Sequence, residues 1–192
     1  MILIGTIASS LLQNVDNGVM DPLQVITVGP SGAANVEFTS IPGTYKHLQL
    51  RCFGHLSGSG NVGDVIRMTF NSDTTSNYSY HLLQGNGSSA SADAAASNSW
   101  IYSGVYPDSY GGANNFGLNI IDILDYANTN KYKTTRALFG YEFNDVNYSR
   151  TALGSGNWRS TSAITSIKFV SGLGLNFSQY SQFALYGIKG AV

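Results

Sequence analysis

The stretch "RMTFNSDTTSNYSYHLLQGNGSS", residues 67–89, runs from an apolar segment through a cluster of Asn, Ser, Asp and Thr into a tyrosine-rich segment. Its reading decides the fold. Ile66, Met68 and Phe70 recur with the period of two that places side chains on one face of a strand. Between the two apolar segments, Asn71, Asp73 and Asn77 offer the oxygen donors that calcium takes. An EF-hand loop would also need a glycine at its sixth position and a distal glutamate, and the sequence supplies neither there. Asx and Ser side chains bond their own backbone in turns, so the cluster reads as the turn of a hairpin whose partners are 64–71 and 78–84. Asn71, Asp73 and Asn77 remain the first place to look for a cation.

The same punctuation recurs along the chain. Short runs of period two alternate with Gly, Asn, Ser and Pro, and no long stripe of period 3.6 appears. Strands are expected at roughly 2–12, 24–29, 34–40, 46–54, 64–71, 78–84, 97–103, 116–125, 133–143, 149–156, 163–170 and 182–189. That count in one 192-residue domain points to an all-β, antiparallel two-sheet sandwich of jelly-roll-like form. Three faces are expected in the core: Leu48, Leu50 and Cys52; Ile66, Met68 and Phe70; and Ala137, Phe139, Tyr141 and Phe143. In "FGLNIIDILDY" the apolar phase moves from Phe116, Leu118 and Ile120 to Ile121 and Ile123, which predicts a bulge near Ile120. Residues 85–115 are weakly patterned and predict a long surface loop.

Composition narrows the function. The chain has 10 Lys plus Arg against 11 Asp plus Glu and no basic run, so the electrostatic footprint of a nucleic-acid binder is missing. The start, "MILIGTIASSLLQ", lacks the basic leader of a secretory signal and is too short in its apolar run to span a membrane; it predicts a first strand. Cys52, the single cysteine, has apolar neighbours and reads as a small buried hydrophobe.

Catalytic constellations are weak. His47, His55 and His81 could each serve as a base, but Gly-x-Ser-x-Gly occurs only in "GHLSGSGNVG", around Ser59, without the strand-to-helix elbow that nucleophile needs. Glycoside hydrolysis needs two carboxylates about 5–10 Å apart. Asp122 and Asp125, three apart on a strand, would point to opposite faces. There is no zinc spacing, Walker loop or dinucleotide loop, so neither a metal nor a cofactor is expected. Carbohydrate binding has more behind it: 12 Tyr and 2 Trp on a chain with 11% charged residues could give flat apolar platforms. The residues for such stacking are Trp100, Tyr102, Tyr106 and Trp158.

Four segments in order carry a resemblance: "VEFTSIPGTYKHLQLRC" at 36–52, "DVIRMTFNSDTTSNYSYHLLQGNGSS" at 64–89, "SAITSIKFVSG", and the terminal "SQFALYGIKGAV". Together they resemble small structural proteins of tailed bacteriophages over roughly residues 34–192. Gln182 stands where that family has a small residue, and 13–33 looks like an extension of a loop that is short in the family. The resemblance implies a jelly-roll-like sandwich on the virion, as a tail or fibre component or a capsid decoration, with no catalytic residues. It implies other virion proteins as partners and host attachment as a role. Repeated copies on a particle favour a symmetric homo-oligomer, a trimer first. The nearly uncharged Ser, Asn and Gly surface suits interfaces, where desolvating charge is costly. The alternative is a lectin-like adhesin that recognises host surface glycans.

Overall fold

Alternation of inward and outward side chains organises most of the twelve strands, in two sheets, that the described residues form. The computed structural model describes residues 19–58, 60, 62–111, 115–143 and 149–190. The strand expected at 2–12 and the serine at 59 lie outside the described residues. The first six strands are β1 (Met20–Thr27), β2 (Asn35–Phe38), β3 (His47–Gly54), β4 (Asp64–Phe70), β5 (Tyr78–Gly85) and β6 (Ala90–Asn98). They are followed by β7 (Ile101–Tyr106), β8 (Gly117–Leu124), β9 (Lys133–Tyr141), β10 (Arg150–Trp158), β11 (Ile167–Ser171) and β12 (Gln182–Ile188).

Every ladder between these strands is antiparallel. One sheet has eight strands in the order β1-β12-β3-β8-β9-β10-β5-β6, and the other has four in the order β2-β11-β4-β7. This is the expected all-β, jelly-roll-like sandwich. The core lies between the sheets. The small sheet sends in Phe38, Ile66, Met68, Phe70 and Phe169, and the large sheet sends in Leu48, Leu50, Ile121, Phe139 and Phe183, all buried. Each such side chain contributes about 1.5–3 kcal/mol by leaving water. The three faces expected from alternation, including Cys52, Ala137, Tyr141 and Phe143, are all buried.

Four expectations are corrected. Strands β4 and β5 are not hairpin partners: β4 pairs with β11 and β7 in the small sheet, while β5 pairs with β10 and β6 in the large one. The segment "NSDTTSN" is therefore a corner that carries the chain between sheets. The loop expected over 13–33 contains β1, which pairs with β12 through Val25↔Ala184; its first residues, 13–18, lie outside the described residues. The loop expected over 85–115 contains β6 and β7, with 112–114 outside the described residues. Alanine and serine in β6 have no apolar alternation to read, since that strand is exposed on nearly every residue. Finally, β8 pairs with both neighbours without a register shift, so there is no bulge at Ile120. The apparent phase shift arises because Leu118 and Ile120 point away from the core while Asn119 points into it.

Asn119 is almost wholly buried, and neither polar atom of its carboxamide has a hydrogen-bond partner. It fits because its neighbour across the core is Gly104, where a Cβ would overlap the carboxamide. Gly104→Ala should lower unfolding free energy by about 1–3 kcal/mol through overpacking. Combined with Asn119→Ala it should recover most of that loss. Urea titrations of the two single variants and the double variant measure this, and strictly additive losses would refute the steric cause.

Candidate functional site

The corner between β4 and β5 is built around Asp73 and Trp158. Trp158 ends β10 directly across from Tyr78 in the ladder, and its ring stacks on Tyr78 at 6.3 Å and packs on Phe70 at 5.6 Å. Its indole Nε1 donates to Asp73 Oδ2 at 2.7 Å. The same oxygen accepts from Asn77 Nδ2 at 3.1 Å, and Oδ1 accepts from Thr75 N at 2.9 Å and Thr75 Oγ1 at 2.5 Å. Burial pushes the Asp73 pKa up, but the hydrogen bonds from Thr75, Trp158 and Asn77 outweigh it and bring the carboxyl down to about 2. Tyr78 completes the corner: its hydroxyl accepts from Phe70 N at 3.0 Å and donates to Asp73 O at 3.0 Å.

Of the oxygens named for a cation, those of Asp73 are engaged within the corner. Asp73 already accepts four hydrogen bonds, as many as its lone pairs allow. Asn71 turns elsewhere, donating to Ala163 O at 2.7 Å and accepting from Thr165 N at 2.8 Å and Ser166 N at 3.1 Å. The three residues named for a cation do not converge, and no cluster of three His, Cys, Asp or Glu side chains occurs among the described residues.

The expected sugar platform is also dispersed. Trp158 is 2% exposed, Tyr102 7% and Tyr106 0%, so none of the three presents a ring face to a ligand. Tyr102 and Tyr106 lie on β7, whose six residues are all buried because the strand packs over β8, β9 and β10. Trp100 is half-buried, stacked with Tyr80 at 5.6 Å and covered by the Arg67 guanidinium 4.9 Å from the ring centre. Trp100, Tyr80 and Tyr102 form one ladder that runs on to Phe139 at 5.7 Å, while Tyr106 packs on Phe177 and Phe183, and Trp158 on Phe70 and Tyr78.

Of the titratable groups considered for catalysis, His81 is exposed on the outer face of β5, and the others are engaged. His47 Nδ1 accepts from Asp125 N at 2.9 Å. Asp125 sits in the turn after β8, bridged by Lys131 and by Lys46 at 3.0 Å. Hydrogen bonds from Lys131 and then Lys46 hold its carboxyl at about 2, the wrong direction for a general acid. Asp122 faces outward on β8 and accepts from Gln49 Nε2 at 2.8 Å. His55 is buried, with Nδ1 3.1 Å from Ser178 Oγ, and its backbone N–H donates to Ser181 Oγ at 3.1 Å. This set clamps the 178–181 turn to β3.

The strongest surface feature was missed from sequence. On the outer face of the eight-stranded sheet, Leu83, Leu118, Leu138 and Leu153 are 53–59% exposed. Three of them lie side by side, because Leu83 pairs with Leu153 and Leu153 with Leu138, and Ile120 extends the row across from Leu138. Beside the row, His81, Ser155 and Arg136 line a shallow cleft of about 400 Å³ with Leu83 and Leu153 as its apolar wall. The available signal was that both phases of "FGLNIIDILDY" are apolar, as they must be when a strand has apolar neighbours on both faces.

No protein-family model matches the chain, and no curated protein matches it. Solved structures with some likeness include the marine PL-14 alginate lyase from Aplysia kurodai, at 8% identity and TM-score 0.32 over 88% of this chain and 85% of that one. The enzymatically active domain of bacteriophage CBA120 tailspike protein 2 shows 11% identity and TM-score 0.29, over 90% of this chain and 29% of that one. The CBM40 of Ruminococcus gnavus IT-sialidase, bound to α2,3-sialyllactose, shows 6% identity and TM-score 0.25 over 86% of this chain and 90% of that one. At such identities and scores, these likenesses carry no argument about chemistry.

The corner makes a pH prediction. Because folding depresses the Asp73 pKa, its contribution to stability is present above the unfolded value of about 3.9 and is lost as pH falls towards the folded value. Trp158→Phe keeps most of the packing and removes the donor, and should cost about 1–3 kcal/mol at neutral pH. The difference between wild type and Trp158→Phe should shrink as pH drops from about 5 to about 2. Urea midpoints across that range measure it; a difference independent of pH would mean that lost packing, not the charged hydrogen bond, is the cause.

Proposed function

We propose that this chain is a non-enzymatic structural module of a tailed-phage virion, on a tail, fibre or capsid surface, and that it works by burying the outer face of its eight-stranded sheet in the assembly. The observation that carries the reading is the row of half-exposed leucines on that face. Contiguous apolar patches of this kind on soluble domains mark interaction surfaces. The low charge of the whole chain fits, because few charged groups have to be desolvated at contact.

The groups considered for catalysis point the same way. Asp125 is held ionised by its hydrogen bonds and ion pairs with Lys131 and Lys46, and His47 holds the turn after β8 in place. The carbohydrate-binding alternative drew on Trp100, Tyr102, Tyr106 and Trp158, and three of these face the core.

Mass spectrometry of purified particles should find the chain as a stoichiometric component. Leu138→Asp with Leu153→Asp should reduce its incorporation at least tenfold, in line with the cost of a charge at the centre of an interface. The isolated variant should still melt cooperatively, since both positions are solvent-facing in the single chain. Incorporation at the wild-type level would count against the reading.

A further inference from the structure

We infer that the outer face of the eight-stranded sheet pairs with the same face of a second copy of this chain, around a two-fold axis that runs parallel to the strands between β8 and β9. The inference rests on the assembly role just proposed for that face, and names its partner.

The first argument is the arrangement of the face about its midline. The strand order puts four strands on each side of the boundary between β8 and β9. In that central ladder, Leu118 lies across from Gly140, Ile120 across from Leu138, and Asp122 across from Arg136, all on the outer face. A two-fold axis along this boundary lays β8 of one copy over β9 of the other at the same height. Leu138 then meets the partner's Ile120, and Leu118 sits over the gap at the partner's Gly140. Each contact occurs twice, as a self-complementary interface requires.

Charge supplies the second argument. Arg136 is exposed and has no ion pair among the described residues, although Asp122 is its cross-strand neighbour. The Asp122 carboxylate uses only Oδ1, in the bond from Gln49. The same axis brings Arg136 over the partner's Asp122 and Asp122 over the partner's Arg136, so both signs are answered by the chain itself. A partner of different sequence would have to reproduce that adjacent pair of opposite charges together with the apolar row.

Area is the third argument. Eight strands spaced ~4.8 Å apart span ~38 Å, and strands of this length rise to roughly 25 Å, a footprint on the order of 900 Å². Stable interfaces bury ~800 Å² on each partner. Sheets also stack face to face in a packing the fold already uses, with layers ~10 Å apart. A face that closes on itself gives a dimer, in place of the trimer that the resemblance favours.

The test uses the full chain and its charge-reversed variants. Light scattering at the highest soluble concentration should give twice the 20.5 kDa chain mass. Arg136→Asp and Asp122→Arg should each weaken the dimer at least tenfold in sedimentation equilibrium, and the double variant should restore it to within a few fold. Urea midpoints establish that each variant is folded. A trimer mass, or a double variant no tighter than the singles, would overturn the two-fold pairing. A monomer whose Leu138→Asp variant still fails to enter particles would overturn self-pairing and leave the assembly role standing. A monomer whose Leu138→Asp variant enters particles normally would overturn both.

Discussion

A sheet of eight antiparallel strands has two faces, and among the described residues the four-stranded sheet covers one of them. That inequality governs the rest of the structure. On the covered side the large sheet is filled with Leu48, Leu50, Ile121, Phe139 and Phe183, closed by the phenylalanines and methionine of the small sheet. The other side is not uniformly polar, as the water-facing side of an antiparallel sheet normally is. It carries a leucine row across β5, β10 and β9 with isoleucine on β8, flanked by a handful of charges. The outward phase of β8, β9 and β10 sets Leu118, Ile120, Leu138 and Leu153 among Asp122, Arg136, Thr151, Ser155 and Asn157, and that apolar row is the face proposed to be buried in an assembly.

The two sheets are joined by a corner whose chemistry first resembles a metal loop. Asp73, Thr75, Asn77 and the indole of Trp158 form a closed hydrogen-bonded set, and the Tyr78 hydroxyl ties the end of β4 to the start of β5. Charge-assisted hydrogen bonds of this kind are among the stronger ones available to a protein. They fix where the chain leaves the small sheet and enters the large one. The ladder of β5 on β10 then follows, and with it the placing of Leu83 beside Leu153.

Much of this was legible in the sequence, and the rest failed for identifiable reasons. Alternation in β3, β4 and β9 was strong enough to name Leu48, Met68 and Phe139 as core, because each strand has bulky residues on one phase only or nearly so. Turn chemistry at "NSDTTSN" marked a reversal of direction but says nothing about which sheet the chain enters next, so the hairpin partner was misassigned. Strand β6 is alanine and serine, and its hydrogen bonds to β5 leave no trace in hydropathy. Trp158, Tyr102 and Tyr106 were placed at a sugar site because aromatics in Gly- and Ser-rich surroundings resemble exposed platforms. Here small residues such as Gly54 and Gly117 make room for the Tyr106 ring inside the core. The phase shift in β8 was visible, yet only the neighbouring strands reveal that Leu118 and Ile120 join an outer row and do not mark a bulge.

Photochemical carbene labelling read by mass spectrometry tests the central claim most directly. The account expects Leu83, Leu118, Leu138 and Leu153 to label strongly in dilute isolated chain and to be protected in the intact particle, while Leu173 and Tyr180, exposed on loops away from the sheet face, keep more of their labelling. Equal labelling of the four leucines in the dilute chain and in the particle would contradict it.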